Sequence, residues 1–388
     1  MKLLLSIIGL VSCLCTLAAK PLKVYILVGQ SNMQGHAKNT TLEHLTMGKD
    51  TQALNNLLTT NGVPKVSKLT HISYAGSHGL KSGPLTVGFG ASDDKFGPEL
   101  ALGFTLENEL KQPILLIKAA WGGKSLHTDF RPPSAPANTF PANKLEQMKK
   151  KGEDVAAATA KLREASGHYY RLSMEHVKSV LKEIEKHSPH YKKEDGYELA
   201  GFVWFQGWND MVNSGVYPNR SQKGGYDMYS ELLSTFIKDV RKDLKAPDMP
   251  FIIGVMGAGG PTDLYGKSQQ RYKSIHQGFR DAMAAPAKNP DLKNVVAVLT
   301  EKYWDNKLDS DNQKRKAVLN EIKKKAKEQK LDREARAALE KAELDKVLTA
   351  QEQKAIKVGI SNAEFHYMGS SKVIAGIGKG FGEALLKK

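Results

Sequence analysis

The chain has 388 residues, a formal net charge of +16 and 40% hydrophobic residues. This length is enough for one large α/β domain or two modest ones, and the composition is that of a globular protein. The positive charge would suit a nucleic acid, but much of it lies where Lys and Glu alternate, as in 314–330. Such stretches are typical of solvated helix faces, so we expect no nucleic-acid partner. Attraction to an acidic polysaccharide stays open.

The N-terminus has the pattern of a secretory signal peptide. Lys2 precedes the apolar run 3–10, and small residues follow up to Ala19. The run is shorter than the ~20 residues that a membrane-spanning helix needs, so we expect no stable membrane insertion. A lipid anchor at Cys13 is the alternative to cleavage after Ala18 or Ala19. We expect residues 1–19 to be removed and the protein to be secreted or periplasmic.

Cysteine and histidine usage argues against a metal site. Cys13 and Cys15 both fall in the signal segment, so the mature chain would have no disulfide, thiol nucleophile or thiolate ligand. His36, His78 and His276 form no metal-ligand spacing with a carboxylate.

Apolar, β-branched runs alternate with amphipathic patterns along the chain. The runs predict five buried strands, at 23–28, 114–119, 201–205, 251–256 and 295–299, and a short strand at 71–74. The amphipathic patterns predict helices at 100–110, 174–184, 226–244, 272–284 and 370–386. This alternation predicts a parallel sheet with helices on both faces.

Two charged helical stretches interrupt the alternation. We interpret 140–165 as an inserted helix and 311–354 as an inserted helical hairpin. A coiled-coil partner is the alternative for the second, but no heptad holds for long. With no internal repeat and no linker, we expect residues 20–388 to form a single domain.

A polar or glycine-rich cluster follows each of the first three core strands. These clusters are 29–32 (GQSN), 121–125 (WGGKS) and 206–210 (QGWND). Open α/β sheets place their sites at the carboxyl edge of the strands, which predicts that the clusters meet there.

The clusters contain the groups that acyl transfer needs. Ser31 is the candidate nucleophile and His366 the candidate base. Candidate oxyanion donors are the backbone N–H groups of Ser31 and Gly123, with the amide of Gln206 or Asn209. Each has a structural alternative when taken alone, because serines cap helices, Gly-Gly forms turns and histidines pack in cores.

Four blocks together resemble a known superfamily. They are GQSNMQG at 29–35, AAWGGKS at 119–125, WFQGWND at 204–210 and the late His366. The chain resembles the SGNH hydrolases, and more narrowly their sialate O-acetylesterase and acetylxylan esterase branch, carbohydrate esterase family six. The resemblance implies a three-layer, flavodoxin-like α/β/α sandwich with a central parallel sheet. It also implies removal of acetyl groups from carbohydrate hydroxyls without a metal or organic cofactor.

The chain departs from the family pattern at the acid that orients the histidine. An aspartate often stands three residues before the histidine, where this chain has Ala363, and related esterases have a glutamate where it has Trp208. Our candidates for the acid are Asp210 first, Glu364 second and Asp305 third. A dyad oriented by a backbone carbonyl stays open.

The expected protein is a serine esterase that removes O-acetyl groups from sialic acid or an acetylated polysaccharide through an acyl-enzyme intermediate. Trp121 and Trp208 are candidate substrate contacts, since sugar rings stack on aromatic faces, although each could instead be a core residue. Gln30 is a further candidate contact. The alternative is a catalytically impaired carbohydrate-binding protein on the same scaffold, favoured by the missing acid.

Overall fold

The computed structural model describes residues 20–388, so the expected signal peptide and both cysteines lie outside the described part. The strands are β1 Leu22–Gly29, β2 Ala37–Lys38, β3 Thr59–Thr60, β4 Val63–Pro64, β5 Thr70–Gly76, β6 Gly79–Pro84, β7 Lys95–Phe96, β8 Ile114–Ala120, β9 Tyr197–Phe205, β10 Phe251–Val255 and β11 Val295–Leu299.

The main sheet has seven strands in the order β11-β10-β9-β1-β8-β5-β6. All neighbouring pairs are parallel except β5 and β6, which form an antiparallel hairpin at one edge. The five core strands and the short strand at 71–74 are confirmed. β6 was not predicted, because its sequence GLKSGP is polar, glycine-rich and largely exposed.

Strand β1 lies at the centre of the sheet and is buried on both faces. Tyr25 and Leu27 join one core cluster, while Val24, Ile26 and Val28 join the other. This explains why the strand has a continuous apolar run instead of the alternation of a half-exposed strand.

The helices are α1 Ser31–Gln34, α2 Gln52–Leu58, α3 Glu99–Leu110, α4 Ala142–Lys150, α5 Val155–Ala165, α6 His168–Lys182, α7 Ile184–His187, α8 Trp208–Met211, α9 Asp227–Asp243, α10 Lys273–Ala284, α11 Asn306–Glu328, α12 Arg333–Val347, α13 Ala350–Gly359 and α14 Ser371–Leu386. Short 3-10 helices lie at Asn39–Thr46, Lys49–Thr51, Thr262–Leu264, Gln270–Tyr272, Ala285–Lys288, Thr300–Tyr303 and Glu364–Gly369. Among residues 20–388, no helix combines the length and apolar character needed to cross a membrane.

Helices cover both faces of the sheet. Side chains of α3 and α14 share one core cluster with β1, and side chains of α6, α9 and α10 share the other. The three-layer α/β/α sandwich is therefore confirmed, with an antiparallel edge strand added to the parallel sheet.

The two charged stretches are helical but divided differently than we expected. The first forms two helices, α4 and α5, because Gly152 between them has φ of +70°, which a helix does not accommodate. The second forms three, since α13 follows the α11–α12 pair with its own capping box at Thr349 and Glu352.

Candidate active site

The carboxyl end of β1 carries Ser31. Gly29 pairs with Ala120 of β8 on one side and with Phe205 of β9 on the other. A Cβ atom on Gly29 would lie 2.2 Å from the Phe205 carbonyl oxygen, so only glycine fits here. Since the three parallel strands end in register, the segments that follow them leave the sheet at one edge.

Ser31 is the first residue of α1 and is partly exposed. Its Oγ donates to Oε1 of Gln30 at 2.5 Å, and the same oxygen accepts the N–H of Asn32 at 2.8 Å. Gln30 thus caps α1 and holds the serine hydroxyl. Because the Gln30 side chain is fully buried, it holds Ser31 from the protein interior. This position differs from the substrate contact that the sequence predicts for Gln30.

His366 is oriented by an amide side chain. Its Nδ1 lies 2.8 Å from Oδ1 of Asn362, which also accepts the N–H of Ala363 at 2.8 Å. Because that backbone N–H can only donate, the Asn362 atom is an acceptor and Nδ1 carries the proton. The unprotonated Nε2 can then accept a proton. Within residues 20–388, Ser31 and His366 form no hydrogen bond with each other, and the Ser31 hydroxyl bonds only to Gln30.

The loop that carries His366 is held in an unusual conformation. Tyr367 and Met368 both have positive φ, at 53° and 60°, although neither is glycine. The buried Tyr367 hydroxyl accepts the N–H of Gly257 at 2.9 Å and lies 2.7 Å from Oγ1 of Thr300. Anchors beyond the ends of β10 and β11 therefore maintain a strained backbone next to His366, a feature that is common at functional sites.

A second histidine stacks on His366. The ring centroids of His36 and His366 are 3.9 Å apart, and their planes differ by 2°. Burial, with a smaller contribution from Lys95, lowers the pKa of His366 to about 4. Burial and the positive charges of His366, Lys95 and Lys118 lower the pKa of His36 to about 3. Both rings are neutral at pH 7, the state that a general base requires.

These lowered pKa values also make the stability of the folded state depend on pH. In the unfolded chain both histidines would bind protons below about pH 6.5. The folded chain resists protonation until its lower pKa values are reached. The contribution of the two neutral rings to stability is therefore complete above about pH 6.5 and is lost as the pH falls toward 4.

The structure does not place Asp210 beside His366. The buried Asp210 carboxylate accepts the N–H groups of Leu126 at 2.7 Å and His127 at 3.0 Å, Nε2 of Gln206 at 2.6 Å and the hydroxyl of Tyr217 at 3.1 Å. With both oxygens occupied, Asp210 fixes the loop after β8 and does not orient the histidine.

The two other candidate acids are also engaged elsewhere. Glu364 forms an ion pair with Lys316 of α11. Asp305 caps the start of α11 through the N–H of Leu308 and pairs with Lys372. The residue that orients His366 is Asn362, not a carboxylate.

The candidate oxyanion donors differ in whether their N–H groups are already used in other hydrogen bonds. Gln206 has both amide hydrogens committed, to the carbonyl of Lys124 at 3.0 Å and to Asp210, which corrects its expected role. Asn209 is partly exposed, and its side chain forms no hydrogen bond within the described chain. Gly123 has φ of +75° with open space where a Cβ would lie. Its neighbour Gly122 faces Ser31, since a Cβ there would lie 3.9 Å from the Cβ of Ser31.

Both candidate tryptophans are partly buried near the sheet edge. Trp121 donates its backbone N–H to Gly29 at 3.3 Å, and its ring meets Tyr169 edge-on at 5.2 Å. Trp208 packs 5.5 Å from Phe365, whose ring in turn lies 4.4 Å from that of His366. Trp208 is therefore connected to the histidine through one aromatic ring.

Sequence reasoning missed a buried ion pair beneath α1. Nζ of Lys118 in β8 donates to Glu99 at 2.7 Å, to the Gln34 carbonyl at 2.9 Å and to the Phe89 carbonyl at 2.7 Å. Both charged side chains are fully buried. Burial raises the pKa of Glu99 and lowers that of Lys118, while their mutual attraction opposes both shifts. The lysine inside the apolar run ILLIKAA could have indicated this ion pair, because a buried charge requires a partner.

His36 and Asn362 were missed for a different reason. His36 lies five residues after Ser31, and Asn362 lies four residues before His366. Only this nearness in sequence could have indicated that they lie close to the candidate site.

A sizeable cavity lies away from these residues. It has a volume of about 570 Å³ and is lined by Arg131, Arg163 and Arg171, and none of the candidate site residues lines it. Among the described residues, no group of three His, Cys, Asp or Glu side chains could hold a metal ion.

The solved structures that match this chain include three remote likenesses. A protein from Arabidopsis thaliana has 18% identity and a TM-score of 0.39, covering 72% of this chain and 86% of that one. XAC1771, a carbohydrate acetylesterase from Xanthomonas citri, has 13% identity and a TM-score of 0.35, covering 71% and 49%. NanS has 12% identity and a TM-score of 0.38, covering 72% and 79%. No curated protein matches the chain significantly.

The family comparison is more informative. A family model described as "Carbohydrate esterase, sialic acid-specific acetylesterase" matches residues 21–315. The match includes Ser31 and the clusters after β8 and β9 and ends before His366. It covers well over half of the chain. The chain is thus a carboxylic ester hydrolase that belongs to the sialic acid-specific acetylesterase family of carbohydrate esterases.

Proposed function

We propose that the protein removes O-acetyl groups from a carbohydrate with Ser31 as nucleophile, His366 as general base and Asn362 in place of the orienting acid. The observation that carries this proposal is the hydrogen bond between Asn362 and Nδ1 of His366. It leaves a neutral ring whose Nε2 can accept a proton, on a loop that packs near α1. Membership of an acetylesterase family supports the choice of an acetyl ester.

In the first half of the reaction, the Ser31 hydroxyl leaves Gln30 and turns toward His366. Oγ attacks the acetyl carbonyl carbon while its proton passes to Nε2 of His366. The bond to the sugar oxygen breaks, and that oxygen takes the proton from His366. The products are a free sugar hydroxyl and an acetyl group on Ser31.

In the second half, a water molecule gives a proton to Nε2 and attacks the acetyl carbonyl. Collapse of the intermediate breaks the ester bond to Ser31 and releases acetate, and the serine recovers the proton from His366. The backbone N–H groups of Ser31 and Gly123 and the amide of Asn209 would stabilise the oxyanion in both halves.

The family supports an acetylated carbohydrate as the substrate, and the aromatic side chains near the site support the binding of a sugar ring beside it. Trp121 and Trp208 are the aromatic surfaces on which a sugar ring could stack. Sialic acid and acetylated polysaccharides both fit this description. The N-terminal pattern of the sequence supports a secreted or periplasmic enzyme.

A second candidate function has a specific observation in its favour. Ser31 donates to Gln30, and among residues 20–388 no carboxylate forms a hydrogen bond with His366. A catalytically impaired carbohydrate-binding protein would show the same arrangement, because binding requires neither contact.

The covalent intermediate distinguishes these two functions. We expect a rapid quench after mixing with p-nitrophenyl acetate to give a burst of nitrophenol and one acetyl group on the peptide that contains Ser31. Intact-mass and peptide mass spectrometry measure this. An acetyl group elsewhere, or binding of acetylated sugar without turnover, would contradict the proposed mechanism.

The pH profile tests the role of Asn362. In the wild type, kcat/KM should fall only as the pH approaches about 4, the pKa of His366. Asn362→Asp places a carboxylate next to Nδ1, which favours the imidazolium and should move this acidic limb upward. Asn362→Ala removes the acceptor and should lower kcat by about 10²- to 10⁴-fold at neutral pH, because the tautomer is no longer fixed.

Short assays are needed for this profile, because stability also falls below pH 6.5, and a melting curve at each pH provides the control. An acidic limb that stays unchanged in Asn362→Asp would show that Asn362 does not orient the base.

A further inference from the structure

The proposed mechanism leaves the stacked ring of His36 without a role. Its Nδ1 is buried and, within residues 20–388, has no hydrogen-bond partner. The burial of a polar ring nitrogen without a partner costs free energy, so hydrogen bonding does not explain the histidine here. What the ring does provide is a flat surface parallel to His366 at 3.9 Å.

His36 occupies a rigid position. Gly35 before it has φ of +94°, and a Cβ there would lie 2.2 Å from Cα of Gly97. Ala37 after it pairs with Phe96 in the β2–β7 ladder. The ring of His36 is thus presented from a fixed turn and a paired strand.

The two histidine segments are also tied together. Oγ of Ser361 accepts the N–H of Lys38 at 3.1 Å and shares its one hydrogen between the carbonyl of Gly369 at 2.7 Å and, more weakly, the carbonyl of His36 at 3.4 Å. One hydroxyl therefore joins both ends of the loop that carries His366 to the backbone around His36.

His366 needs a second restraint because its first one is weak. A neutral amide binds Nδ1 less strongly than a carboxylate would. A bond to one ring atom also fixes a point, whereas the ring can still tilt about that point. A parallel ring against its face fixes the plane. The edge of Phe365, 4.4 Å from His366, adds a further contact.

We propose that His36 is a positioning residue that fixes the plane of the His366 imidazole, so that Nε2 can accept the proton of the Ser31 hydroxyl when that hydroxyl turns toward it. This inference rests on the proposed function of His366 as the base. The charged groups that face the pair are Lys95 of β7 and Lys118 of β8, the second paired with Glu99. Burial first, and these cations in addition, lower the pKa of His36 and keep its ring neutral, so it does not repel the imidazolium that forms on His366.

Two variants of His36 distinguish the effect of a planar ring from the effect of side-chain volume alone. His36→Phe keeps a planar ring, whereas His36→Leu fills the space without one. With p-nitrophenyl acetate we expect His36→Leu to lower kcat by about 10²-fold, the effect of a small misplacement of a reacting group. KM should change little, and His36→Phe should restore most of kcat. The acidic limb of kcat/KM should stay near 4 in both variants, because burial rather than the stack lowers the pKa of His366.

A matched control is His71→Leu. His71 is also partly buried, and its buried Nδ1 has no hydrogen-bond partner in the part of the chain that the structure describes; its ring centroid lies 5.5 Å from that of another histidine, His190. It lies in β5, away from the proposed site, and its variant should keep the wild-type kcat.

Several outcomes would overturn the inference. They are wild-type kcat in His36→Leu, equal losses in His36→Phe and His36→Leu, an equal loss in His71→Leu, or an acidic limb that moves with the stack. His366→Ala in the same assay tests the underlying function. If it retains activity, the proposed mechanism itself is wrong; if it is inactive while His36→Leu is unchanged, only the role of His36 is wrong.

Discussion

Ser31→Ala is expected to lower kcat for acetyl esters by on the order of 10⁴- to 10⁶-fold, the range for loss of a serine nucleophile. No other hydroxyl of α1 or its cap could replace it, since the neighbouring side chains are amides. The remaining rate would come from the oxyanion donors acting on a bound water. Release of acetate from acetylated sugars and of nitrophenol from the reporter ester measure the change.

The fold should tolerate this substitution, because Ser31 loses only its bond to Gln30. Ser230→Ala is a suitable control: Ser230 is also partly buried and donates one hydrogen bond, to Ala282 at 2.9 Å in a different region. We expect the control to keep its activity. An active Ser31→Ala enzyme would exclude the acyl-enzyme route.

Lys118→Met is expected to lower the free energy of unfolding by about 3–5 kcal/mol, the cost of leaving a buried charge without its partner. Glu99 would lose the positive charge that neutralises it, and its carboxylate would stay buried away from water. The carbonyl groups of Gln34 and Phe89 would also lose their donor. Chemical denaturation of the wild type and the variant provides the measurement.

Two further variants test whether burial is the cause. Glu99→Gln combined with Lys118→Met removes both charges and should recover much of the loss. Lys341→Met breaks the exposed pair with Asp345 on α12 and should leave the stability nearly unchanged. Equal effects of Lys118→Met and Lys341→Met would contradict the explanation.

The core of the fold was predictable because burial on both faces requires continuous apolar runs. Strands β1, β8, β9, β10 and β11 have such runs, and the amphipathic helices between them are recognisable by their period. β6 has no such signal, since it is held by backbone pairing with β5 and exposes most of its side chains. The break between α4 and α5 depends on one left-handed glycine, which a charged helical pattern conceals.

The candidate site was predictable only to the level of the sheet edge. Ser31 and Gly122 come together because β1 and β8 end in register. The partners of each polar group were not predictable, because they come from distant loops. Asp210 satisfies backbone N–H groups more than eighty positions away, at Leu126 and His127. Asn362 was overlooked because a search for an acid does not consider an amide that performs the same orienting role.

The hydroxyl of Ser361 that joins the two histidine segments has a consequence for folding. Its bond to His36 spans 325 residues, and the nearby bond from Ser371 to Thr41 spans 330. Contacts of such long range form late, because most of the chain must be ordered before they close. The proposed nucleophile, Ser31, is made early in synthesis and the proposed base, His366, near the end. We therefore expect ester hydrolysis during refolding to appear later than the formation of the sheet, once 361–386 has docked.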